Sequence, residues 1–242
     1  MPTLSVCTIC QDEAEVIGWT MECCVHLKEV LGDDLKDVTV IDGGSKDNTL
    51  DVLRKYQTLL PLEIVSYPFD SFGSQKNRAM SYAKGNWIFC PDTDMTWTTN
   101  FPYLFKGRYF ESRPLWDFPI IFTADNGEYY FHKWPTNYNN RLWRSDIRLE
   151  TEYHEKILSL GAPGTCGEVV LFENSIRQSD KALMNRGERY QKFAPQMIAA
   201  GGGPGPADRY LRAKLDAKPE DKMLIPEQIR KLILPTTLGE PK

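Results

Sequence analysis

The chain has 242 residues, 41% of them hydrophobic and 26% charged, with a formal net charge of −4. That length can bury a substantial core, and the composition is ordinary for a folded globular protein. The mild acidity gives no bulk support to dedicated nucleic-acid binding, and no stretch reaches the roughly 18 continuous apolar residues of a membrane span.

The N-terminus, MPTLSVCTIC, enters a strand pattern directly. It lacks the basic flank and apolar core of a signal sequence, so a cytoplasmic protein is expected. Residues 4–10 (LSVCTIC) read as a buried strand, and 13–31 as a helix with apolar positions at Val16, Ile17, Met21 and Cys24. A second strand, 37–41, breaks at Asp42-Gly43-Gly44-Ser45 before a helix from about Asp47 to Tyr56. Residues 62–66 form a third strand and 74–84 a third helix. Gly85 then precedes a fourth strand over 86–90. Strand–helix repeated three times and closed by a strand predicts an α/β fold with a doubly wound, mostly parallel sheet. Ligands are then expected at the carboxyl ends of the strands.

The second half differs. Prolines 102, 114, 119 and 135 interrupt it, and aromatics are dense from Trp97 to Trp143. Segments 118–123 and 128–133 flank Asp125-Asn126-Gly127, a hairpin signal. Residues 141–144 and 167–173 are candidate strands and 176–193 a helix. Gly201 to Pro206 reads as a hinge before a charged tail. The organisation predicted is a parallel α/β part over 1–97, a smaller mixed region over 98–200, and a hinge and tail over 201–242. The six cysteines, Cys7, Cys10, Cys23, Cys24, Cys90 and Cys166, fall in apolar or helical runs. Cys7-x-x-Cys10 has zinc-like spacing but no second pair, so buried free thiols are expected.

Four polar clusters fall at predicted strand ends or the start of helix three: Gln11-Asp12-Glu13, Asp42 to Thr49, Ser74 to Arg78, and Asp92-Thr93-Asp94. Each alone has a structural explanation as a cap or turn. Together they occupy the edge that forms the ligand crevice of a parallel sheet. Aspartate is a poor strand residue, so Asp92 and Asp94 are a strand exit or a site for a hard cation such as Mg²⁺ or Mn²⁺. Lys76 and Arg78 can counter phosphate charge. Arg141 and Arg144 are candidate diphosphate or acceptor contacts, or partners of carboxylates. Trp134, Tyr138 and Trp143 can stack on a sugar or build a core. The Gly-x-Gly-x-x-Gly and P-loop patterns are absent, which argues against a dinucleotide dehydrogenase and a P-loop NTPase.

The stretches SVCTICQDEAEVI, VTVIDGGSKDNTLDVL, FGSQKNRAMSYAKGNWIFCPDTDM and NNRLWRSDIRLETEYHEKI resemble an inverting family 2-type glycosyltransferase with the GT-A fold. The last two are similar to the branch containing lipopolysaccharide-core glucosyltransferases. The resemblance covers about residues 4–160, with a weaker echo in KALMNRGERYQKF. It implies that Glu13 and Asp42 contact the donor's base and ribose and that Lys76 approaches the nucleotide. Asp92 and Asp94 would hold the pyrophosphate through Mn²⁺ or Mg²⁺, His154 would complete the metal shell or touch the diphosphate, and Glu155 would be the catalytic base.

The implied reaction moves a sugar from a nucleoside-diphosphate sugar, with a UDP-sugar favoured, to an acceptor hydroxyl. A saccharide or lipid-linked saccharide is the favoured acceptor, and a modified nucleobase in DNA stays open. A membrane acceptor would be reached peripherally. The rival readings are a nucleotidyltransferase, which should show a Gly-rich basic loop after strand one, and a noncatalytic nucleotide-sugar-binding protein on the same scaffold.

Overall fold

The computed structural model of the protein describes residues 1–124, 127–131, 137–150, 157, 162–193, 195, 214, 215 and 218–238. Strands β1 (Leu4–Cys10), β2 (Leu35–Asp42), β3 (Leu62–Ser66) and β4 (Trp87–Phe89) form the parallel core, in the order β4-β1-β2-β3. Helices α1 (Ile17–Leu31), α2 (Thr49–Tyr56) and α3 (Phe72–Ser81) make the crossovers. The strand order reverses between β1 and β4, and in open α/β sheets the ligand crevice lies outside the strand ends at that reversal.

Both faces of this sheet are covered, which explains why the strands read as continuous apolar runs. Along β1, Leu4 and Val6 join the core under α1 and α2, while Cys7 points to the opposite core with Ala79 and Met80 of α3. The same parity splits β4, with Trp87 and Phe89 on one side and Ile88 on the other. Gly85 lets the chain enter β4: a Cβ there would meet the carbonyl carbon of Leu4 and the amide of Ser5, both at 2.7 Å.

Beyond β4 the sheet continues with mixed strands. β5 (Met95–Trp97) and α4 (Phe101–Lys106) follow, then β6 (Leu115–Ala124), β7 (Tyr129–Phe131) and β8 (Asn137–Arg144). β8 runs antiparallel between β4 and β6, so one sheet spans both halves of the chain. The hairpin appears as antiparallel β6 and β7, although Asp125 and Asn126 lie outside the described residues. β9 (Gly164–Thr165) runs parallel to β6, and β10 (Leu171–Glu173) pairs with β5 and β6. α5 (Asp180–Gln191) follows, capped by Ser179. The described part of the tail docks: β11 (Lys222–Leu224) pairs with β7, and Ile225 and Ile233 are buried with Phe172.

Several boundaries differ from expectation, among them two helix starts. The first helix begins at Ile17 rather than residue 13, because the Glu13 carbonyl accepts the Val16 and Ile17 amides in a turn. The helix expected over 176–193 is a 3₁₀ turn at Ser175–Arg177 followed by α5. All six cysteines are free and buried, as expected.

Candidate active site

The loop after β2 is built around Asp42. Its carboxylate is buried and accepts the amides of Gly44 (3.2 Å) and Ser45 (3.1 Å). Gly44 has φ of +97°, a left-handed conformation that a side chain would strain. The loop after β1 locks onto it. The Asp12 amide donates to Ser45 Oγ at 2.9 Å, and Asp12 Oδ1 accepts the Lys46 amide at 2.6 Å. Asp12 itself sits at φ of 54°, a region aspartate tolerates better than most residues.

The turn after β4 is pinned on three sides. Thr8 of β1 donates to the Pro91 carbonyl (2.8 Å), and the Thr20 hydroxyl of α1 lies within hydrogen-bond reach of the carbonyls of Thr93 (2.7 Å) and Met95 (2.8 Å). Asn174, just past β10, donates its amide (2.9 Å) and its Nδ2 (3.0 Å) to the Asp94 carbonyl. The two aspartates therefore stand in fixed and different environments. Asp92 is one-third exposed. It accepts Lys76 Nζ at 2.7 Å and both Arg141 Nη groups, at 2.5 and 3.2 Å. Burial alone would raise its pKa, but Arg141 and then Lys76 outweigh burial and hold it far below the usual carboxylate range.

Asp94 is 2% exposed and lies 2.7 Å from Arg186 Nη1. This is a charge contact without hydrogen-bond alignment: among the described residues neither carboxylate oxygen of Asp94 accepts a hydrogen bond. Arg186 also reaches Glu13 at 3.5 Å, and Arg189 joins Glu13 (3.2 Å) to Asp12 (3.5 Å). Gln178 donates to Glu13 at 2.9 Å. Burial raises the pKa of Glu13, Arg186 draws it down, and the charge of Asp94 raises it again. Glu173, ending β10, is pushed up to about 8, first by burial and then by Asp94.

α5 thus spans the crevice. At its start, Glu15 accepts the Ser179 amide (2.6 Å) and hydroxyl (2.7 Å). At its end, Tyr190 packs on Phe72 and Phe193 on Phe69, with centroids 5.3 and 4.7 Å apart. Beside it opens a cleft of about 270 Å³ walled by Gln11, Asp12, Gly43, Phe69, Arg189 and Phe193.

Of the expected site residues, Glu13, Asp42, Lys76, Asp92, Asp94 and Arg141 lie at this crevice. Arg144 does not. Strand register sets it opposite Trp87, at the far end of β4, where its guanidinium lies 5.3 Å from the indole centre. Arg78 is engaged by Asp70 at 3.0 Å and stacks on Tyr67. Trp143 is a core residue of the α3 face. His154, Glu155 and Trp134, and the side chain of Tyr138, lie outside the described residues. The sequence pattern does not single out Arg186, Gln178 or Glu173. The available signal was Arg186 and Arg189 three apart on a helix, which places both on one face.

Residues 5–166 match the profile of Glycosyl transferase family 2. The chain belongs to glycosyltransferase family 2. A TPR repeat-containing protein of Synechococcus elongatus is 29% identical to this family 2 chain over 161 residues. The match covers 65% of the chain but only 36% of that relative's length. Among solved structures, the mannosyltransferase PcManGT from Pyrobaculum calidifontis, in complex with GDP-Man and Mn²⁺, is similar with a TM-score of 0.57 and 17% identity. That likeness covers 88% of this chain and 69% of the other. S. aureus TarS 1-349 gives a TM-score of 0.53 at 15% identity, over 88% and 70%. These likenesses establish a GT-A-like fold, with a mostly parallel core sheet and a smaller mixed region.

Proposed function

We propose that this family 2 protein is an inverting, metal-dependent glycosyltransferase that moves a sugar from a nucleoside-diphosphate sugar to an acceptor hydroxyl. The observation that carries the reading is Asp94. It is buried, its oxygens accept no hydrogen bond among the described residues, and it stands beside Arg186, with Lys76 and Arg141 on neighbouring Asp92. A desolvated carboxylate of this kind suits a hard divalent ion, which takes one or two protein carboxylates, phosphate oxygens and water. Among the described residues no three His, Cys, Asp or Glu side chains form a metal-binding group. Asp92 and Asp94, with His154, would hold Mn²⁺ or Mg²⁺, leaving further positions to the diphosphate and water. The bound ion would supply positive charge at the leaving diphosphate.

In this reading residues 1–97 bind the donor, with Glu13 and Asp42 at its nucleoside end. Lys76 and Arg141 present positive charge toward the diphosphate. Glu155, from the acceptor-side region 98–200, takes the acceptor proton as the hydroxyl attacks the anomeric carbon from the face opposite the leaving group. A UDP-sugar is the favoured donor, and a saccharide or lipid-linked saccharide the favoured acceptor. The likeness to the lipopolysaccharide-core branch supports that acceptor class. No helix among the described residues is long and apolar enough to cross a membrane, so a lipid-linked acceptor would be met peripherally.

A thermal-shift panel of UDP-, GDP-, CMP-, dTDP- and ADP-sugars, each with Mn²⁺ and with EDTA, tests the proposal. Selective binding raises the midpoint by mass action. One donor class should stabilise the protein only with metal, and Asp92→Ala and Asp94→Ala should lose that shift. A folded protein that no donor stabilises would overturn the proposal.

A further inference from the structure

Resting on the metal-dependent reading above, the further question is what the crevice does before any ligand arrives. Two buried carboxylates, Asp94 and Glu13, share Arg186 Nη1, which lies 2.7 Å from one and 3.5 Å from the other. Left without a cation, two desolvated carboxylates would be costly, so the arginine compensates them. Yet its contact with Asp94 has no hydrogen-bond alignment, and neither Asp94 oxygen accepts a hydrogen bond among the described residues. A guanidinium committed to a structural pair normally meets a carboxylate with two aligned N–H groups, as Arg141 does at Asp92. Arg186 therefore balances charge at Asp94 without using that carboxylate's lone pairs.

The helix that carries it is fixed at both ends. Glu15 holds Ser179 before its first turn, and Phe69 and Phe72 hold Phe193 and Tyr190 at its last. A change at Arg186 is thus a swing of a long side chain on a stationary helix.

We propose that Arg186 is an exchangeable counter-ion: it holds the cation's place at Asp94 in the free enzyme and turns to the donor diphosphate when a divalent ion takes Asp94. Free metal competes with the arginine. Metal arriving with a diphosphate does not, because the diphosphate gives the displaced guanidinium a new anionic partner. Nucleotide and metal then bind cooperatively through one side chain, and Arg186 is a positioning residue for the donor.

The test uses Mn²⁺ alone as the probe, with free ion measured by electron paramagnetic resonance on wild type, Arg186→Gln and Arg186→Lys. Removing one like charge from contact range should tighten Mn²⁺ binding by Arg186→Gln at least about tenfold. Arg186→Lys keeps the charge and should stay near wild type. Equal affinities across the three folded proteins, or weaker binding by Arg186→Gln, would overturn the exchange. Should Arg186→Gln fail to fold, the side-chain ¹⁵Nε resonance of Arg186 in wild type, titrated with Mg²⁺ alone, decides the matter. A saturating shift supports displacement, and an unmoved resonance refutes it. Failure of every nucleotide in the thermal-shift panel would instead overturn the transferase reading, and the metal-only result would still judge Arg186.

Discussion

Arg141 meets Asp92 through two contacts, Nη2 to Oδ2 at 2.5 Å and Nη1 to Oδ1 at 3.2 Å, tying strand β8 to the turn after β4. Lys76 approaches the same carboxylate at 2.7 Å. The pairing puts two oriented cations on a fixed base at the end of the crevice proposed to meet the diphosphate. Arg141→Lys should not restore it, because an ammonium cannot make the paired contact. We expect Arg141→Ala to lower kcat/KM for the donor selected by the thermal-shift panel by about 10²-fold. With Lys76 still on a partly exposed Asp92, the stability loss should be only about 1–2 kcal/mol. Steady-state kinetics and urea unfolding on the same preparations check both. Wild-type kinetics in Arg141→Ala would remove this residue from the donor site.

Glu173 supplies a pH signature. Its native pKa is pushed up to about 8 by burial and by Asp94, against about 4.3 for a free glutamate. Between those values the folded state keeps a proton that the unfolded chain releases. Stability is therefore fully present below the lower value and falls as pH rises toward the upper one, by at most about 1.4 kcal/mol per pH unit. Glu173→Gln removes that slope. In EDTA, the midpoint of the variant should gain on wild type as pH rises between those two pKa values. Parallel melting curves over that range would mean that Glu173 titrates normally.

Phe193 tests the anchoring of α5. Its ring lies 4.7 Å from Phe69 and forms part of the cleft wall. Phe193→Ala should cost about 1–2 kcal/mol, below the usual cost in a closed core because the site is half-buried. It should also raise KM for the donor while kcat falls less. A fall in kcat at unchanged KM would separate this wall from donor binding.

The cysteines give a simple check on the fold. All six are free and buried, and burial raises the thiol pKa of Cys7, Cys10, Cys23, Cys24 and Cys166. A thiol-reactive disulfide reagent should titrate almost none of them in the native protein and all six in denaturant. Rapid native labelling of Cys7 or Cys10 would contradict their burial in β1.

What the sequence determined by itself was local and additive. The apolar runs at 4–10, 37–41, 62–66 and 86–90, separated by helical periods, made a parallel sheet readable, and a parallel sheet puts its carboxyl ends on one edge. The sequence pattern alone therefore puts Asp42, Asp92 and Asp94 at a common crevice. Tertiary structure alone decided what those carboxylates meet. Arg141 and Arg144 have the same chemistry three residues apart, and only the register of β8 on β4 sends one to Asp92 and the other to Trp87. Arg186 is separated from Asp94 by a long strand-rich stretch of the chain, yet α5 folds back to bring the two charges to 2.7 Å. Periodicity reports which face of an element is apolar. It carries no information about which charge a distant helix delivers, because that is set by the packing of non-local elements around one core.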